Sequence, residues 1–320
     1  DLQGDVYGEV QYDDLGRIKQ VSNPYRQGEQ KLWSKTHYDN RGRVIETFSP
    51  APDGQTGSSS GTVEFGISTV PGFIGNYVTT TDASGRKSRA IKNVFGQIVR
   101  FDEPTGNNDL GTLNTPNQPT FYTYNIKGEL TKIQQEQQNR YYKYDSLGRL
   151  IRVRQPEQNS NPNLATIGNP ENNEWTLGFT YDVHSNVLTV TDAKNTVITN
   201  SYDKAGRIKT SSYSDGITPQ NNYYYDGVGL PQVPQFAKGN LTKITNGLSE
   251  TRYTSFDNYG GILTSEQFTD GVPYNFEYKY DSVGNLTEET YPSGRVVKTH
   301  LNSDGALSAV SSKTATSPYK

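Results

Sequence analysis

A six-residue unit, Tyr-Asp-x-x-Gly-Arg, returns four times along the 320-residue chain: Tyr12-Asp13 to Gly16-Arg17, Tyr38-Asp39 to Gly42-Arg43, Tyr144-Asp145 to Gly148-Arg149, and Tyr202-Asp203 to Gly206-Arg207. Ile18, Val44, Leu150 or Ile208 follows directly. The shorter Tyr-Asp pair occurs seven times, where random placement of 23 Tyr and 19 Asp gives one or two. Tyr280-Asp281 to Gly284 is the same unit with Asn285 in place of Arg, Tyr225-Asp226 keeps only the first half, and Tyr181-Asp182 is the seventh pair. Degenerate copies begin at Asp82, Asn93, Asn125, Asp192, Asp257 and Asn302. A repeat of this kind governs fold class before any other feature does.

The unit has a local physical meaning. An Asp or Asn side chain accepts backbone N–H groups two residues on and starts a type I turn, and a Gly three residues later takes the left-handed conformation that closes the hairpin with a bulge. Tyr then ends one strand, and the β-branched residue or Leu after Gly-Arg starts the next. Between turns the apolar residues alternate: Trp175, Leu177, Phe179 and Tyr181 against Thr176, Gly178 and Thr180, and Phe276, Tyr278 and Tyr280 against Glu277 and Lys279. This pattern predicts strands with one packed and one wet face.

Composition agrees with a sheet that has little core. Only 31% of residues are apolar and 23 are Tyr, a residue suited to a half-buried pleated surface. A net charge of -3 lacks the self-repulsion of disordered chains and gives no electrostatic case for nucleic acid. With no Cys there is no disulfide framework, thiolate metal site or cysteine nucleophile. Met is absent too, where an ordinary reading frame of this length carries several, so the chain is expected to be a piece of a longer polypeptide. No apolar run is long enough for a membrane span.

We expect an all-β fold of tandem antiparallel hairpins forming a coiled, spiralling sheet or shell segment. Residues 1–320 read as a single repeat array, with loop insertions near 49–61, 102–120, 155–174 and 214–235 rich in Pro, Asn and Gly. A longer period is superposed: Tyr38 and Tyr144 lie 106 residues apart, and Thr81 and Thr191 lie 110 apart. A ribbon of twenty-odd strands, roughly 100 Å long at about 4.8 Å per strand, must coil or pack on itself.

These units, with the interleaved Tyr291-Pro292-Ser293-Gly294-Arg295 turn, resemble the YD repeats of Rhs (rearrangement hotspot) proteins, wall-associated protein A, the shells of insecticidal toxin complexes and the teneurins. The resemblance covers roughly Val10 to Leu307. It implies a strip of hairpins spiralling into a hollow bacterial cocoon, a secreted or cell-surface location, and as partner an enclosed toxin domain or other segment of the same polypeptide. The family's core segment carries an Asp-Pro self-cleavage site; this chain has no Asp-Pro dipeptide, so no family catalytic residue is carried over.

Catalytic readings fare worse than structural ones. Paired carboxylates could hydrolyse glycosides, but nearly every prominent Asp already belongs to a turn signal. The twelve-residue calcium-loop pattern is absent. His37, His184 and His300 lie far apart with no metal-binding spacing. The Arg after each turn Gly could bind anionic glycans, but pairing with its turn Asp or a cross-strand neighbour is the simpler role. Tyr12, Asp13, Gly16, Arg17, Tyr38, Asp39, Gly42, Arg43, Tyr144, Asp145, Gly148, Arg149, Tyr202, Asp203, Gly206, Arg207, Tyr280, Asp281 and Gly284 are therefore read as structural turn residues, with no catalytic, cofactor or metal site. The expected function is a non-enzymatic shell segment that encloses, displays or delivers a toxin or other cargo. The alternative is an extracellular fibre-forming or adhesive protein that binds surface glycans.

Overall fold

The computed structural model describes residues 5–49, 59–164, 175–302 and 305–314. Its elements are β-strands, with one 3-10 turn, Pro162–Leu164, as the only helical segment among the described residues. By contact density the chain divides into two units, Asp1–Glu157 and Gln158–Lys320.

The first unit holds β1 (Val6–Tyr7), β2 (Val10–Tyr12), β3 (Ile18–Ser22), β4 (Tyr25–Arg26), β5 (Trp33–Tyr38), β6 (Val44–Ser49), β7 (Ser59–Ser68), β8 (Gly75–Thr81), β9 (Lys87–Lys92), β10 (Ile98–Glu103), β11 (Gln118–Tyr124), β12 (Leu130–Gln135), β13 (Gln138–Tyr144) and β14 (Leu150–Arg154). Apart from the small β1–β4 pair, each strand joins its sequence neighbour antiparallel, from β2–β3 and β3–β5 through to β13–β14.

The second unit repeats the plan with β15 (Leu177–Tyr181), β16 (Val187–Thr191), β17 (Val197–Tyr202), β18 (Ile208–Tyr213), β19 (Asn221–Tyr225), β20 (Leu241–Thr245), β21 (Ser249–Phe256), β22 (Ile262–Thr269), β23 (Val272–Tyr280), β24 (Leu286–Thr290), β25 (Val296–Leu301) and β26 (Leu307–Lys313), again paired consecutively and antiparallel.

Consecutive antiparallel pairing sends alternate turns to the same edge of a sheet. In the first unit the turns begun by Asp13, Asp39, Asn93, Asn125 and Asp145 share one edge, and the Asp82 turn lies on the other. In the second, turns begun by Asp182, Asp203, Asp226, Asp257, Asp281 and Asn302 share an edge opposite those at Asp192 and Tyr291. Within each unit, every Tyr-Asp pair therefore falls on one edge.

Register also separates the faces. In the second unit Phe179, Val190, Ile198 and Tyr213 form one cross-strand row. The opposite face carries hydroxyl pairs, Thr180 with Thr189 at 2.6 Å and Ser201 with Thr210 at 2.6 Å, and the ion pair of Lys279 and Glu288 at 2.6 Å. Few side chains are fully buried, among them Ile91, Tyr141 and Val153 in the first unit and Trp175, Leu164 and Phe256 in the second. Low aliphatic content is enough for sheets of this kind.

The insertions differ in part from the sequence reading. Of 49–61, residues 50–58 lie outside the described residues, and Ser59 already begins β7. Asp102 and Glu103 belong to β10, and Gln118 to Thr120 belong to β11, because alternating burial continues beyond the last obvious strand residue. In 155–174 the described part ends in the Pro162–Leu164 turn; Asn161 anchors it by donating from its backbone to the Trp175 carbonyl at 2.8 Å and from its amide to the Asp192 carbonyl at 2.7 Å. Within 214–235, Asn221–Tyr225 is a strand, since three consecutive Tyr outweigh the surrounding turn formers.

Gly206 has φ of 77°, and a Cβ there would meet no atom within 4 Å, so its role is purely conformational. Gly206→Val is expected to lower the unfolding free energy by about 1 kcal/mol or more, measured by urea denaturation. An unchanged midpoint would refute the left-handed requirement.

Candidate functional site: turn clamps and an aromatic groove

Each full repeat builds the same clamp. At the Asp13 turn the backbone N–H of Gly16 donates to the Asp13 carbonyl at 3.0 Å and that of Asp13 to the Arg17 carbonyl at 2.8 Å. One carboxylate oxygen, Oδ1, accepts from the backbone N–H of Leu15 at 3.0 Å and of Arg17 at 2.9 Å. Oδ2 takes the Arg17 guanidinium Nε at 2.7 Å. Asp39, Asp145 and Asp203 hold their own Arg43, Arg149 and Arg207 in the same way, with Nε to Oδ2 distances of 2.7, 2.7 and 2.8 Å. Asp281 substitutes an amide, accepting from Asn285 Nδ2 at 2.9 Å. Gly16, Gly42, Gly148, Gly206 and Gly284 all have positive φ, and the register slips at the residue before each of Tyr12, Tyr38, Tyr144, Tyr202 and Tyr280, the signature of a bulge.

The clamps hold the carboxyls below the ordinary carboxylate range. At Asp39, Asp145 and Asp203 the backbone N–H of the paired Arg is the main cause, whereas at Asp13 it is the Arg17 side chain and at Asp281 the Asn285 amide. These carboxylates are ionised and saturated with donors. Burial raises the Tyr144 and Tyr280 hydroxyls above the usual phenol value.

Tyr and Arg carry the coupling from one hairpin to the next. Tyr38 Oη donates to the Ile18 carbonyl at 2.9 Å, and Tyr202 Oη to the Val187 carbonyl at 2.8 Å. In the other direction, Arg17 lies 4.4 Å from the Tyr38 ring centre, Arg43 lies 3.9 Å from Phe65, and Arg207 lies 4.3 Å from Tyr225. Arg207 also forks onto Asp226 at 3.1 and 2.8 Å, which together with Asp203 drives its guanidinium pKa upward. Tyr12, on β2, is largely exposed at 60%.

Two features of the first unit were not visible in the sequence. Asp102 is fully buried between Arg89 and Arg100, with Arg89 Nε at 2.7 Å from Oδ2 and Arg100 Nε at 2.8 Å from Oδ1. Arg89 also donates to the Thr112 carbonyl at 3.0 Å, which pins the 104–117 loop over the sheet. Phe73, from the turn after β7, packs on Phe121 at 5.2 Å and lies 5.3 Å from the Arg100 guanidinium. Beside this contact lies a groove of about 1120 Å³ lined by residues including Phe73, Phe95, Phe121, Tyr124, Gln97 and Gln134. Among the described residues no Asp, Glu, His or Cys lines it; it offers apolar contact and amide hydrogen bonds, with Tyr122, Tyr124, Thr123 and Lys127 as its hydroxyl and amine groups.

The histidines stay apart. His37 meets Glu46 across β5–β6 at 2.7 Å, His300 meets Ser311 at 2.8 Å, and the His184 backbone donates to Asp182 within a turn at 2.8 Å. Among the described residues no three His, Cys, Asp or Glu converge as a metal site, and no helix is long and apolar enough to cross a membrane.

No protein-family model and no curated protein matches the sequence. Solved structures do match its fold. The crystal structure of TcdB2-TccC3 superposes with a TM-score of 0.68 at 13% identity, covering 98% of this chain and 17% of that one. TcdB2-TccC3 without its hypervariable C-terminal region gives 0.64 at 12% identity, over 97% and 16%. A Photorhabdus luminescens Tc holotoxin pore gives 0.59 at 12%, over 98% and 18%. The chain has the β-hairpin strip fold of these structures and spans about a sixth of their chain length.

Asp102→Ala is expected to destabilise the protein by about 3–5 kcal/mol, because it strands two buried guanidiniums. Urea denaturation of the variant checks this; a loss below about 1 kcal/mol would mean that water already neutralises the site.

Proposed function

We propose that this chain is a non-enzymatic wall segment of a secreted or surface-exposed protein, one that encloses, displays or delivers a toxin or other cargo encoded elsewhere in the same polypeptide. The observation that carries this reading is the match of 98% of the chain to a sixth of TcdB2-TccC3, with the same fold in a Tc holotoxin pore. The chemistry of the clamps supports it. A carboxylate already bound by two backbone N–H groups and a guanidinium has no capacity left for acid-base or nucleophilic work. In this reading Tyr12, Asp13, Gly16, Arg17 and their counterparts hold the wall together and take no part in a reaction.

Limited proteolysis of the full-length polypeptide tests the proposal. The cargo segment is expected to survive protease levels that degrade the same segment expressed alone. Equal rates of degradation would contradict enclosure and favour a fibre or adhesive surface.

A further inference from the structure

Large apolar side chains stand at the tips of three consecutive hairpins on one edge of the first unit: Val94 and Phe95 in the turn begun by Asn93, Ile126 in that begun by Asn125, and Leu147 in that begun by Asp145. Each of the four is at least 73% exposed. The turns do not ask for them. The Asn and Asp side chains bond only the backbone N–H of the central residues Phe95, Lys127 and Leu147, so a polar side chain would serve equally well there. Turns on the opposite edge of the same unit are built with small or polar central residues, Ala83 and Ser84 after Asp82, and Glu136 and Gln137 between β12 and β13. A contiguous row of exposed apolar tips that those turns do not repeat marks a contact surface.

The same edge carries a receptacle. The groove of about 1120 Å³ is lined by Phe95 and Ile126 from these tips together with Phe73, Phe121 and Tyr124. Knobs and groove lie side by side, so the edge is complementary to itself. The spacing adds a symmetry. Tips of consecutive hairpins are two strands apart, about 9.6 Å, so Phe95 and Leu147 lie at equal distances on either side of Ile126. A half-turn about Ile126 brings the Leu147 of one copy against the Phe95 of another, at the border of its groove, and sets Ile126 against Ile126. Contacts of this kind are isologous.

We propose that this edge of the first unit docks onto the same edge of a second copy of the chain, with a two-fold axis at Ile126. Phe95 offers about 150 Å² and each aliphatic tip roughly 100 Å². With the turn backbone between them, each copy contributes about 600 Å², the low end of specific interfaces. The dimer is therefore weak and dissociates on dilution. A bilayer is a poorer occupant. Asp145, held below the ordinary carboxylate range, lies two residues before Leu147, and Lys127 and Glu129 follow Ile126, so the tips cannot enter hydrocarbon without these charges. The assignment is independent of whether the wall encloses cargo.

Sedimentation velocity of the full chain over about 1 to 200 μM tests the association: the average mass is expected to rise from 35.6 kDa towards twice that value. Ile126→Asp is expected to weaken it by about tenfold or more, because it sets two unpaired carboxylates together at the axis. Leu248→Asp, at an exposed turn of the second unit, is expected to leave it unchanged. The chain has no native Cys, so disulfide trapping reads the axis directly. Ile126→Cys is expected to oxidise to a covalent dimer, and a mixture of Phe95→Cys and Leu147→Cys chains to a mixed one, both faster than Leu248→Cys. A constant monomer mass over the whole range, equal effects of the two Asp substitutions, or trapping no faster at Ile126 than at Leu248 would overturn the proposal. So would an unchanged mass with binding to phosphatidylcholine vesicles that Ile126→Asp removes, which would assign the row to a membrane.

Discussion

A carboxylate one residue past a strand end, accepting two backbone N–H groups and a guanidinium, closes the four full-repeat hairpins of this protein, at Asp13, Asp39, Asp145 and Asp203. In the Asp145 turn the donors come from Leu147, Arg149 and the Arg149 side chain, all within four residues of the acceptor. The turn is satisfied locally, without help from a buried core. The bulge of such a turn adds local twist, and the Arg of three of them projects sideways onto the aromatic ring of a neighbouring strand, Arg17 on Tyr38, Arg43 on Phe65 and Arg207 on Tyr225. The Tyr hydroxyl of the next hairpin can reach back to a carbonyl of its predecessor, as Tyr202 does to Val187. Local closure and nearest-neighbour coupling thus come from one short motif.

Such an arrangement stabilises a sheet that buries little. Repeat proteins gain stability from intrinsic repeat terms plus neighbour interfaces, so each hairpin needs only two good flanks. Tyr suits this geometry because its ring packs while its hydroxyl finds a carbonyl at the edge of water. The clamped carboxylates are held below the ordinary carboxylate range, which keeps that edge of each sheet polar and ionised at neutral pH.

What was legible in the sequence follows from range. The turns at Asp13, Asp39, Asp145, Asp203 and Asp281 use partners two to four residues away, so the spacing of Asp, Gly and Arg states their geometry directly. Asp102 was hidden because its partner Arg89 lies across the β9–β10 register and a Pro-Gly loop follows it. The meeting of His37 with Glu46, and of Phe73 with Phe121, depends likewise on which residues the ladder places opposite or which turn folds over a face. Strand β19 was obscured by the Pro, Asn and Gly around it, although Tyr223 to Tyr225 carry the signal.

If each hairpin is closed by its own clamp and coupled only to its neighbours, removing one carboxylate must act over a short distance. Hydrogen–deuterium exchange across the second unit of an Asp203→Ala variant measures this directly. Faster exchange is expected in β17 and β18, falling off through β15–β16 and β19–β20, with β25 and β26 unchanged. A uniform rise over all twelve strands, or no change at the Asp203 turn itself, would contradict the account.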